Sequence, residues 1–132
     1  MTGLTRSLAN YAPARRAGDF IFVSGASARQ PDDTIPGAKL VDGAWVTDIR
    51  LQTDATLARI DNVLATHGAT LDDLVEVNVF LVDMADYAGM NEIWNQRFAD
   101  PLRAPARTTV AVKQLPRPEF VVEIRAVAHR PR

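Results

Sequence analysis

Four residues stand where a purely structural chain has little use for them. Arg107 opens an alternating stretch directly after Pro105-Ala106. A guanidinium is always charged, and its flat fork of donors matches a carboxylate. Glu123 lies inside the apolar run Phe120–Ala128. A carboxyl there faces solvent, pairs with a cation such as Arg125, or sits in a pocket that raises its pKa toward acid–base use. Asn91 falls on the apolar stripe of a predicted helix, where an amide must find partners or cost about 1–3 kcal/mol. Otherwise it lies at the rim of that stripe and caps a loop. Tyr11 is an aromatic in a polar leader, and either anchors that leader on the core or belongs to a site.

Conventional chemistry has little to work with. There is no cysteine, so thiol nucleophiles, disulfides and thiolate metal sites are excluded. His67 and His129 lack a second ligand at metal spacing and read as surface residues. No phosphate loop and no G-x-S-x-G occur. Fifteen basic residues against sixteen acidic ones give a net charge of -1, which disfavours nucleic acid as a partner. No apolar run approaches the roughly 18–20 residues of a membrane span. The first sixteen residues lack the apolar stretch of a signal peptide, so a cytoplasmic protein is expected.

The positioning elements follow from periodicity. With 132 residues, 47% of them hydrophobic, the chain reads as one domain spanning 1–132. Phe20-Ile21-Phe22-Val23 reads as a buried strand closed by Ser24-Gly25. Residues 26–44 form a long loop, with a small hairpin at Lys39–Val46. Asp48 reads as the N-cap of a helix over 48–67, carried by Ile49, Thr53, Leu57, Ile60 and Leu64 and ended by Gly68. Residues 74–82 form a strand with Val75, Val77, Val79 and Leu81 on one face. A second helix runs from Asp83 to about Ala99, with Tyr87, Asn91, Trp94 and Phe98 on one stripe. Strands follow at Arg107–Lys113 and Phe120–Ala128. This order predicts an α+β domain, one sheet with two helices on one face. Val121, Val127 and Ala111 are assigned to the other face. An apolar patch there calls for another subunit as cover.

Several motifs taken together resemble the RidA (YjgF) family of reactive-intermediate deaminases. They are Tyr11-Ala12-Pro13, Ala17–Gly25, Gln52-Thr53, Val79–Met84, Met90-Asn91-Glu92, Pro105–Val110, Leu115-Pro116 and Val122-Glu123-Ile124. Ser24–Asp32 and Ala111–Pro116 are similar to the 2-aminomuconate deaminase branch; most of the family carries Gln after Ser-Gly, where this chain has Ala26-Ser27. The resemblance implies a chorismate-mutase-like fold that trimerises into a barrel, with clefts between subunits. It implies hydrolysis of enamines and imines to ammonia without metal or organic cofactor. It assigns Arg107 to the substrate carboxylate and Glu123 to the attacking water. Asn91, Tyr11, Gly25, Thr109 and Phe22 join the substrate-binding set. Thr109 stands where many members have Cys. A muconate has two carboxylates, and Arg29 is the candidate for the second. The alternatives are a general 2-aminoacrylate deaminase, an RNA-binding or ribonuclease-like protein, and a ligand-binding trimer without turnover.

Overall fold

The computed structural model describes residues 3–132. Five strands form one sheet in the order β1-β2-β7-β5-β6, and β3 and β4 form a separate hairpin. The strands are β1 (Ala14–Ala17), β2 (Phe20–Ala26), β3 (Ala38–Val41), β4 (Ala44–Thr47), β5 (Leu74–Leu81), β6 (Ala106–Ala111) and β7 (Val122–His129). The helices are α1 (Ile49–Ala65) and α2 (Tyr87–Arg97). β6 pairs parallel with β5, while β7 runs antiparallel to both β5 and β2.

Strand alternation divides the residues between two faces. Ile21, Val23, Val77, Val79, Leu81, Ile124, Ala126 and Ala128 are buried in one core with Leu57, Ile60 and Leu64 of α1 and Met90 and Trp94 of α2. Both helices therefore cover the same face, as the periodicity predicted. Asp48 caps α1 by accepting from the backbone N–H groups of Arg50 and Leu51. Gly68 follows the helix at φ 72°, and Ala69 N–H donates to Leu64 O at 3.0 Å to satisfy a terminal carbonyl.

Four details differ from the sequence reading. Ala14–Ala17 is an edge strand, although its Ala-Arg-Arg-Ala sequence carries no strand signal of its own; pairing to β2 imposes it. Val75 is exposed while Val77, Val79 and Leu81 are buried, because the β5–β7 register shifts between Leu74 and Glu76. The second helix begins later than Asp83. Asp83 instead caps a 3₁₀ turn at Met84–Asp86, and the α-helix starts at Tyr87.

The fourth difference concerns the uncovered face. Val121 does not lie on it. β7 begins only at Val122, so strand parity does not extend to Val121; its N–H donates to Gln52 Oε1 at 3.1 Å and its side chain joins the core. Ala111 pairs with Leu81 and so belongs to the helix side. Val127 does face outward, but it is buried within the chain. The apolar surface on the open face comes from Phe20, Phe22 and Val110, all more than 40% exposed.

Candidate active site

Two groups of candidate residues form on the sheet, and they do not meet. The first surrounds Arg107. Val77 pairs with Arg107, which places the arginine on the helix side, where α2 receives it. Arg107 Nη1 donates to Asn91 Oδ1 at 2.8 Å and reaches Met90 Sδ at 3.7 Å. Its Nη2 donates to Tyr87 Oη at 3.2 Å. The guanidinium lies 4.8 Å from the Trp94 ring centroid, a cation–π contact. The stripe Tyr87, Asn91, Trp94 is thus a cradle for a cation as much as a core face. Arg107 has no carboxylate partner among the described residues. Thr109, two residues along the same face, has a buried Oγ1 with no hydrogen-bond partner.

The second group surrounds Glu123 on β7, and includes Gly25 in the bulge that interrupts the β2–β7 register between Val23 and Ala26. A Cβ on Gly25 would lie 2.9 Å from Glu123 Oε2 and 3.1 Å from its Cδ. Glycine is what lets the carboxylate lie against the β2 backbone. Burial raises the Glu123 pKa, and the positive charge of Arg59 opposes the rise. Glu123 makes no ion pair among the described residues; Arg125, the partner weighed for it, faces Glu76 at 3.8 Å. The N-terminal segment is fastened beside this group. Ser24 Oγ donates to Ala12 O at 2.6 Å and Ser24 N–H to Pro13 O at 3.0 Å. Tyr11, 46% exposed, lines a narrow cavity there with Ser24, Gly25 and Arg59. Phe22 is exposed on the open face, paired across from Val127.

Arg29 does not fit the role expected of it. It is buried, its guanidinium donates to Arg6 O and to Asp33 Oδ1, and Thr5 Oγ1 donates to its carbonyl. Arg117 ties Asp33 to the buried Glu119. Arg29 is a buried strut whose Nη1 and Nη2 already donate within the chain. The residue the sequence reading missed is Arg59. On a helix it reads as a solvated charge, and only the packing of segment 3–13 and of the loop around Ser27 against α1 takes it partly out of water. The histidines lie apart from both groups: the His67 carbonyl accepts from Arg16 Nη2, and the His129 ring lies 5.0 Å from that of Phe20. Among the described residues no cluster of three His, Asp or Glu could hold a metal ion.

Residues 4–130 match the family described as Endoribonuclease L-PSP, the RidA/YjgF/RutC family. The chain belongs to it. Among RidA-family relatives, the 3-aminoacrylate deaminase RutC of Acinetobacter baylyi is 34% identical over 127 residues, 96% of this chain and 92% of RutC. The mitochondrial protein mmf2 of Schizosaccharomyces pombe is 38% identical over 106 residues, 80% of this chain and 75% of mmf2. The crystal structure of E. coli TdcF with bound serine superposes with a TM-score of 0.82 at 26% identity, covering 98% of this chain and 95% of TdcF. The RidA-type α+β fold is thereby established for this chain. No helix among the described residues is long and apolar enough to cross a membrane. Since mmf2 is a mitochondrial protein, a cytoplasmic location does not follow from family membership.

Proposed function

We propose that this protein is a cofactor-independent enamine/imine deaminase. Its working form is a homotrimer, and its preferred substrates resemble 2-aminomuconate, hydrolysed to the 2-oxo or enol acid and ammonia. The observation that carries the reading is Arg107: a guanidinium aligned by Asn91, Tyr87 and Trp94 with no carboxylate of its own. Such a cation is prepared for an external carboxylate. The RutC relative, named for deamination of 3-aminoacrylate, supports the reaction class.

In the reaction, the enamine tautomerises to an imine whose carboxylate is held by Arg107. Glu123 accepts a proton from water as the water oxygen bonds to the imine carbon. Glu123 returns that proton to nitrogen, giving a carbinolamine; the carbinolamine hydroxyl then yields its own proton to the amine nitrogen by way of Glu123, the C–N bond breaks, and ammonia leaves behind a carbonyl. Imines hydrolyse unaided in water, so positioning and acid–base help of about 3–5 kcal/mol suffice.

Within one chain this cannot operate. Arg107 lies on the helix side of β6, whereas Glu123 lies on the opposite face of β7, and Gly25 is on β2, three strand spacings or roughly 14 Å from β6. A second copy must supply the missing half. The exposed Phe20, Phe22 and Val110 offer the apolar surface for that contact. Light scattering at micromolar concentration should give the mass of three chains; a monomer would remove this part of the reading.

Ammonia release from 2-aminoacrylate generated in situ, and from 2-aminomuconate, tests the activity directly. Turnover of the first without the second would identify a general imine deaminase. Gly25→Ala should lower that turnover roughly ten-fold or more with Tm within a few degrees of wild type, because a displaced carboxylate misplaces the water. The new Cβ meets only the end of a flexible side chain, so the fold should yield without unfolding.

The family's nuclease description favours one second reading, RNA binding. The net charge of -1 counts against it. RNA affinity falling steeply with salt would support it.

A further inference from the structure

Arg59 and Glu123 are each half-buried, and neither forms an ion pair among the described residues. Arg59 reaches only Ser27 there, donating from Nη1 to its carbonyl oxygen at 3.3 Å and to its Oγ at 3.5 Å. The two side chains lie to either side of Gly25 in the β2 bulge. Gly25 lines the narrow cavity that Arg59 borders, and the Glu123 carboxylate lies against Gly25. That cavity holds about 10 Å³, room for one water molecule at most and too little for any group of a substrate.

No other cation among the described residues stands in for Arg59. β5 places Phe80 opposite Glu123, and the β2 bulge offers Ser24 and Gly25, all uncharged. On β7 itself Arg125 faces Glu76. Just before β7, Glu119 is paired with Arg117, which also holds Asp33. The N-terminal segment contributes the phenol of Tyr11. Arg29 acts on the charge of Arg59 and is itself engaged with Asp33 and the Arg6 carbonyl. Burial raises the Glu123 pKa, and Arg59 is the charge that opposes the rise.

The reaction needs that opposition. Glu123 can take a proton from water only as a carboxylate, whereas burial favours the neutral acid. The Arg107 that a second copy brings to the cleft gives little help, because the substrate carboxylate neutralises it on binding. What is needed is a cation that the substrate does not reach. It must also stand off, since a direct ion pair would occupy the carboxylate oxygens that water requires. We propose that Arg59 is a positioning residue for deamination, holding Glu123 ionised from across Gly25 while leaving its oxygens free for water. The proposal rests on the reading of Glu123 as the base. Arg59 touches neither the substrate nor the reacting atoms.

The chain has four glutamates, Glu76, Glu92, Glu119 and Glu123. Carbon-13 carboxyl resonances of glutamate-labelled protein, with Glu123 assigned through Glu123→Gln, follow the titration of each. In Arg59→Gln the Glu123 midpoint should rise by about one pH unit, while the other three stay within about 0.2 of wild type. Arg59→Lys keeps a charge and should stay within about half a pH unit of wild type. Arg59→Met is a second neutral replacement, should match Arg59→Gln, and decides if glutamine disturbs the fold. The Arg107 of a neighbouring copy is common to all these proteins and cancels. In ammonia release, the acid limb of kcat should move up with the midpoint in the neutral variants, and the plateau above it should stay within about three-fold of wild type. An unmoved Glu123 midpoint in the neutral variants would overturn the proposal. So would an Arg59→Lys midpoint as high as that of Arg59→Gln, or a rate loss equal at every pH. A midpoint that follows the charge at position 59 while the acid limb does not would retain the coupling and refute Glu123 as the base.

Discussion

Arg107→Ala should abolish measurable deamination while leaving the oligomeric mass and the Tm close to wild type. A charge-assisted pair between a guanidinium and a bound carboxylate is worth on the order of 2–5 kcal/mol, and its loss lowers kcat/KM by roughly 30- to 5,000-fold. The structural cost is small, because Arg107 is held by an amide, a phenol and a ring, with no buried carboxylate left stranded by its removal. Arg107→Lys should be nearly as poor, since an ammonium cannot keep the bond to Asn91 and also grip both carboxylate oxygens. Steady-state rates with the two enamine substrates, beside a melting curve, settle the matter. Near-normal activity in Arg107→Lys would mean that charge suffices and the fork is irrelevant.

The second large effect is expected at Glu123, and here activity and stability should move apart. Glu123→Gln should lower kcat by roughly 10²-fold or more, because an amide cannot take a proton from water. Any residual rate should lose the acid limb expected of the wild-type pH profile. The sign for stability follows from the raised pKa, caused by burial and partly offset by Arg59. A carboxyl raised in the folded state binds its proton more tightly there than in the unfolded chain. Its contribution to stability is full below the ordinary carboxylate range and is lost as pH rises through the raised value. At neutral pH the wild-type protein therefore holds a carboxylate in a poorly solvated place, and glutamine relieves it. Tm of Glu123→Gln at neutral pH should equal or exceed wild type, with the gap closing toward acid. A fall in Tm together with kcat per folded chain within a few-fold of wild type would make Glu123 a structural residue.

The fold was legible wherever a local signal and the tertiary environment agreed. Asp48 and Gly68 bracket α1 because capping chemistry is local. The buried faces of β5 and β7 follow from alternation, which is also local. The reading failed where a pattern was extended across a break it could not reveal: at Val75 beyond a register shift, and at Val121 one residue before its strand begins. Arg107 and Glu123 were singled out by residue type against background. Arg29 and Arg59 show the limit of that approach. Both are arginines in polar stretches, and nothing in sequence says that one is consumed by Asp33 and the Arg6 carbonyl while the other is left free. That distinction depends on where segment 3–13 lies, which is a long-range fact.

The placement of Arg107 and Glu123 on opposite faces of one sheet has a genetic consequence. If each cleft draws its arginine from one copy and its glutamate from the next, an Arg107→Ala chain still carries an intact glutamate half, and a Glu123→Gln chain an intact arginine half. Two inactive proteins, unfolded together and refolded as a mixture, would then rescue one another. Random assembly from equal amounts pairs the two sound halves at about one quarter of the interfaces, so the mixture should recover about one quarter of wild-type activity per chain. Two loss-of-function alleles expressed in one cell would complement in the same proportion, whereas two alleles damaged in the same half would not.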